Sequence, residues 1–193
     1  MTHQEKLSKG GYISDESAFK EVLDILDDNQ KPQFVHLVTM QTHMPYSNKY
    51  DQSDYVLDGF SSAKWVENYS QDIAYTSEAL KEFISQINQL SRPTVVVFWG
   101  DHLPSIYPDD VLADNKDITA HLTEFLVYDT RDSSPTKEEI ISPFYFPSIV
   151  SQVEGVETTG FYELLKEMHQ FLPAFEKETY YYNQTWQKEI ELS

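Results

Sequence analysis

The chain has no cysteine, only 14 lysines and arginines among its 193 residues, and no apolar run of bilayer-spanning length. The first absence excludes disulfides and cysteine-type zinc sites, and suits a bacterial extracellular protein. The second leaves 14 basic residues against 32 acidic ones, a formal net charge of -18. Binding to a nucleic acid backbone needs clustered lysine and arginine, so that class of partner is excluded. No lysine cluster reads as a patch for an anionic membrane surface either. An acidic surface repels anionic substrates, so any phosphate site here needs a metal ion or local donors. There is no secretory signal pattern, internal repeat or low-complexity segment. The opening Met1–Lys6 reads as an arbitrary start.

What is present is globular. Hydrophobic residues make up 40% and aromatics 14%, enough for one domain with a core. The chain is organised around Val95-Val96-Val97-Phe98-Trp99-Gly100-Asp101-His102. An unbroken run of β-formers ends in a glycine, a carboxylate and an imidazole, which reads as a buried parallel strand. In open α/β sheets ligands bind beyond the carboxyl ends of the strands. Phe34–Thr39, followed by Met40-Gln41-Thr42-His43-Met44-Pro45-Tyr46, has the same design. The two strand ends are expected to face one active site.

Residues 1–13 are polar and read as loose. Ser14 or Asp15 caps a helix whose buried face carries Phe19, Val22, Leu23 and Leu26. Gln33–Met40 is the first expected strand and Gln41–Tyr46 the loop at its end. Residues 47–61 form a polar loop of the kind that faces substrate. A long helix from about Ser62 to Leu90 has Val66, Tyr69, Ile73, Leu80, Phe83, Ile84 and Ile87 as its apolar stripe. This β-loop-α-β order predicts two parallel strands with a right-handed crossover. Leu103–Asp117 reads as a loop and Thr123–Tyr128 as a third strand. One helix starts at Ser142-Pro143 and ends at Gly155; another carries Phe161 to Leu172 and stops at Pro173. The tail from Ala174 is charged and aromatic without a clear period.

Asp101 and His102 mix hard and borderline ligands, suited to manganese or zinc. The plainer alternative is a carboxylate that caps the next turn and a partly buried polar histidine. His43 stands where an imidazole can donate to a phosphate oxygen or act as acid or base, or where a backbone carbonyl holds it. His36, inside the expected strand, reads as a core histidine. His121 reaches the same sheet end only if the chain doubles back before the third strand. His3 and His169 look incidental. Thr39 and Thr42 are candidate nucleophiles, but a threonine needs a base or metal to activate it, and adjacent side chains on an extended segment, as at Thr42 and His43, point to opposite faces.

Gly11-Tyr12-Ile13-Ser14-Asp15, the segment Phe34 to Tyr46, Tyr69…Tyr75…Glu78-Ala79-Leu80, and Phe98-Trp99-Gly100-Asp101-His102 together resemble lipoteichoic acid synthase-like proteins. These are phosphoglycerol transferases of the alkaline phosphatase and sulfatase superfamily. Ser142-Pro143, Phe161–Leu165 and Leu172-Pro173-Ala174 resemble the family's closing helices. The likeness covers about residues 11–175. It implies an α/β fold, a three-layer α/β/α sandwich present as a partial domain. Residues 1–193 are then the carboxy-terminal part of one catalytic domain, with a Tyr-rich tail from 176.

The resemblance implies an enzyme of cell-wall and lipoteichoic acid synthesis, on the extracellular face of a Gram-positive membrane and anchored upstream. A threonine beside a divalent ion takes glycerol phosphate from a phosphatidylglycerol-like lipid and passes it to a cell-surface glycan or glycolipid. Carried over by motif, Asp101 and His102 match metal ligands and His43 the histidine that contacts the substrate phosphate. The metal is expected to be manganese, with zinc, magnesium and calcium as alternatives. The nucleophilic threonine and a further acidic ligand have no match in the 42 residues before His43. The chain alone is therefore expected to be inactive, and its exposed edge to favour self-association. A sulfatase, a phosphoethanolamine transferase and a non-catalytic interaction domain are the rival readings.

Overall fold

A computed structural model describes residues 2–9, 11–28, 31–59, 63–115, 117–132, 134 and 140–174. Helix α1 runs from Asp15 to Asp28. Its cap is Ser14, whose Oγ accepts from the Ser17 amide at 3.2 Å. Phe19, Val22 and Leu26 form the buried stripe that their spacing predicts. Helix α2 spans Ala63–Ile87. Phe19 stacks on Phe83 with ring centroids 5.1 Å apart, which ties the two helices together. The chain divides into two compact units, Met1–Arg92 with Pro104–Asn115, and Pro93–Leu103 with Lys116–Ser193.

Four expectations for the first unit change. The segment before α1 is tied down rather than loose: the Thr2 and His3 amides donate to Glu21 and the Ser14 amide to the Glu5 carbonyl. Gln33–Met40 is not a strand. Phe34 is 93% exposed and Val38 67%, while Leu37 and Thr39 are half-buried. The segment keeps period-2 exposure, but no neighbouring strand among the described residues takes its backbone groups. His36 is consequently exposed and not a core residue. The amino-terminal half of α2 buries Glu67, Asn68, Gln71, Asp72 and Thr76, while Ile73 is exposed. Its partner is the backbone of the loop before it. The Asp54 amide donates to Gln71 at 2.8 Å and the Leu57 amide to Glu67 at 2.9 Å, so polar side chains serve the loop's unpaired groups. Finally, Leu103–Asp117 contains a short helix, α3, at Asp109–Asp114, with two aspartates in its first turn.

In the second unit, β1 is Val95–Trp99 and β2 is Phe125–Asp129. They pair antiparallel, with Trp99 opposite Phe125 and Val95 opposite Asp129. The parallel crossover is therefore not formed among the described residues. An apolar run encodes burial but not direction, and β1 is half-buried rather than enclosed on both faces. Helix α4 spans Phe146–Glu154 after a 3-10 turn at Pro143–Tyr145, and Gly155 closes it at φ +63°. Helix α5 spans Gly160–Phe171. Phe146 lies 5.3 Å from the Trp99 ring and 5.6 Å from Phe125, seating α4 on the ribbon. Tyr145 is fully buried, its hydroxyl donating to the Leu172 carbonyl at 2.6 Å. His169 packs on that ring at 5.0 Å and so has a structural place. The Tyr-rich tail lies outside the described residues.

Candidate functional site

His43 sits in the loop that follows the extended segment, where its amide donates to the Met40 carbonyl at 3.1 Å. Its ring is exposed. Nδ1 lies 2.8 Å from the Met44 carbonyl, which can only accept, so Nδ1 carries the hydrogen and Nε2 keeps its lone pair. Tyr12 donates its hydroxyl to the same carbonyl at 3.2 Å and stands edge-on to the imidazole at 5.7 Å.

Beneath this loop lies a buried polar cluster that the sequence reading missed. The Lys49 ammonium donates to the Gln41 carbonyl at 2.6 Å, to the His43 carbonyl at 3.0 Å and to the Asp72 carboxylate. The Lys49 and Asp72 side chains are 1% and 0% exposed. Tyr50 donates to the other Asp72 oxygen at 2.6 Å. Gln41 Oε1 accepts from the Asp15 amide at 2.8 Å, and Thr76 donates to Asp15 at 2.6 Å. Asn68 donates to the Tyr46 carbonyl at 2.5 Å. Burial pushes the Asp15 and Asp72 carboxyls above the ordinary carboxylate range, against the hydrogen bonds from Thr76 and from Lys49. Burial also raises the Tyr50 phenol, and its bond to Asp72 adds to that. A signal for the cluster was present. Asn68, Asp72 and Thr76 recur at i+4 on the face that continues through Ala79, Phe83 and Ile87.

Thr39 and Thr42 are half-buried, and Thr39 hydrogen-bonds the Asp15 carboxylate.

In the second unit, Asp101 and His102 follow β1 directly. Gly100 extends the ladder, its amide donating to the Glu124 carbonyl at 3.1 Å while its carbonyl accepts from Thr123 Oγ1 at 2.6 Å. A Cβ on Gly100 would stand 3.2 Å from Thr123 Cβ. The Asp101 and His102 side chains are 79% and 68% exposed, with Oδ1 and Nε2 3.8 Å apart. His102 Nδ1 lies 2.8 Å from the Leu103 carbonyl, so again Nε2 is the nitrogen with the lone pair. A backbone carbonyl on the far nitrogen is the usual support of a metal-bound histidine. The exposed carboxylate and free Nε2 thus fit two ligands of a divalent ion. Among the described residues no group of three or more His, Asp or Glu is gathered for a metal. Antiparallel pairing brings the start of β2 to the end of β1, so the chain does double back, and His121 closes a 3-10 turn leading to that end.

Comparison with known proteins decides the family. The sulfatase family model matches residues 1–156. The chain belongs to the sulfatase family. It is an alkaline phosphatase-type α/β domain, present in part, from a superfamily of hydrolases and transferases that includes lipoteichoic acid synthases. It is 26% identical over 173 residues to a putative cyclic beta-1,2-glucan modification protein of Rhizobium meliloti, covering 79% of this chain and 27% of that one. It is 27% identical over 92 residues to the lipoteichoic acid synthase of Staphylococcus saprophyticus, covering 47% of this chain and 14% of the other. The phosphoglycerol transferase GacH of Streptococcus pyogenes, solved with sn-glycerol-1-phosphate, superposes with a TM-score of 0.75 at 23% identity. That match covers 91% of this chain and 46% of GacH. The sulfatase-family chain thus spans less than half the length of each of these relatives. None of its described helices is long and apolar enough to cross a membrane.

Proposed function

We propose that this sulfatase-family chain is the carboxy-terminal part of one catalytic domain, with its core at about residues 11–175. The parent enzyme moves phosphoglycerol from a phosphatidylglycerol-like lipid to a cell-surface glycan or glycolipid, on the extracellular face of a Gram-positive membrane. The observation that carries the reading is the shared presentation of His43 and His102. Each exposes an imidazole whose Nδ1 is tied to the next residue's carbonyl, leaving Nε2 for a ligand. The likeness to a lipoteichoic acid synthase and to a phosphoglycerol transferase supports the transferred group. The likeness to a glucan modification protein supports a glycan acceptor.

His43 Nε2 holds a phosphoryl oxygen of the donor, donating to it when protonated. Asp101 and His102 Nε2 would hold a divalent ion; their mixed carboxylate and imidazole donors suit manganese or zinc, and the family resemblance favours manganese. Such an ion, when bound, stabilises charge on phosphoryl oxygens and lowers the pKa of a hydroxyl nucleophile. The threonine nucleophile belongs to sequence outside residues 1–193. The test is diacylglycerol release from phosphatidylglycerol vesicles by the full-length enzyme with manganese. His102→Ala is expected to abolish release, and Asp101→Asn to abolish manganese binding in a titration. Residues 1–193 alone are expected to be inactive. Turnover by that chain, lost on His102→Ala, would overturn the reading.

A further inference from the structure

We propose that Lys49, neutralised by Asp72, is the positioning residue for His43; this rests on the proposed role of His43 at the substrate phosphate. An ammonium has three N–H donors, and here each has an acceptor: the Gln41 carbonyl, the His43 carbonyl and Asp72. The two carbonyls flank Thr42, so one buried charge grips the main chain on both sides of the turn that presents His43. The His43 side chain is itself exposed, so its placement comes from that main chain, from the Nδ1 bond to Met44 and from the edge-on contact with Tyr12.

Burying an ion pair is seldom more favourable than an apolar pair of the same size. What the pair supplies here is geometry. Asp72 is fixed in turn by Tyr50, and Lys49 Nζ lies 5.5 Å from the centroid of the Tyr46 ring. Asn68 and Tyr12 hold the Tyr46 and Met44 carbonyls of the same loop. Lys49 differs from both in gripping the His43 residue itself.

The test is a cycle in the full-length enzyme: the parent, His43→Ala, the pair Lys49→Met with Asp72→Asn, and all three changes together. Removing both charges avoids stranding one of them in the core. The paired variant is expected to keep a thermal midpoint close to the parent's and to lose about tenfold or more in kcat/KM on phosphatidylglycerol vesicles. On the His43→Ala background it is expected to lose nothing further, because the clamp acts only through that ring. An equal loss on both backgrounds, or no loss on the parent while His43→Ala is impaired, overturns the proposal. If the paired variant does not fold, Tyr50→Phe takes its place in the cycle with a smaller loss and the same deciding outcomes. If His43→Ala itself changes nothing, the phosphate role fails. The clamp is then decided by the imidazole nitrogen signals of His43. A single Nδ1–H tautomer in the parent that becomes mixed in the paired variant upholds it, and an unchanged tautomer overturns it.

Discussion

The His43 loop and the Asp101–His102 corner present the same chemical group in two different ways. Both expose an imidazole with Nδ1 on the following carbonyl. Under His43 the support is a buried network of side chains, including a lysine and an aspartate out of contact with water. At His102 the support is backbone: a ladder bond at Gly100, a threonine packed against it, and then solvent. The first arrangement places its histidine through costly, mutually dependent groups. The second places its histidine through the strand and leaves the carboxylate and imidazole accessible to a third party.

The largest expected effect separates the two supports. Lys49→Met alone leaves Asp72 buried without its counter-charge and is expected to cost the first unit about 3–5 kcal/mol in denaturant unfolding. Gly100→Ala is the matching blow to the corner. Its Cβ presses on Thr123, and a loss of about 1 kcal/mol is expected, with the hydrogen bond from Thr123 to the Gly100 carbonyl weakened. Asp101→Asn, by contrast, is expected to change stability by less than about 0.5 kcal/mol, because the side chain is largely in water. A large stability loss on Asp101→Asn would erase the distinction.

The pH dependence sharpens the same contrast. Burial raises Asp15 and Asp72, so the folded chain keeps their protons where the unfolded chain has released them. Their contribution to stability falls as pH climbs from the ordinary carboxylate range through the raised values, and returns on acidification. Asp129 in the second unit behaves oppositely. The Arg131 guanidinium lowers its pKa, so its contribution is present above the ordinary value and is lost as pH falls through the lowered one. Asp15→Asn is expected to flatten the loss above the ordinary carboxylate range, and Arg131→Gln the loss on the acid side. Unfolding midpoints across pH check both. The smallest effect concerns the exposed Phe34 and Val38 row, which is expected to make residues 1–193 self-associate weakly. Sedimentation over a concentration series checks it, and Phe34→Ser with Val38→Ser is expected to abolish it.

Helices were legible wherever an apolar stripe, a cap and a stop agreed, as at Ser14 with Phe19, Val22 and Leu26, or at Ser142-Pro143 and Gly155. The corner after β1 was legible because Gly100-Asp101-His102 follows a run of β-formers; Thr42-His43 follows a run of the same composition that forms no strand. Strand pairing was not legible. The run at 34–39 has strand composition, yet pairing depends on a neighbour that composition does not name. The direction of β1 was misjudged because apolar continuity says nothing about which partner returns alongside it. Lys49 and Asp72 stayed hidden for another reason. A charged residue in a polar loop reads as solvated, and only the fold shows that its acceptors are carbonyls six and eight residues away.

Loops are ordinarily where a fold tolerates added or deleted residues. The Lys49 clamp removes that freedom from one of them. The ammonium must reach back six residues to His43 and eight to Gln41 while also meeting Asp72 on helix α2. One residue inserted between Pro45 and Lys49 would carry the charge past both carbonyls, so this stretch of irregular backbone has a fixed length, as a helix turn does.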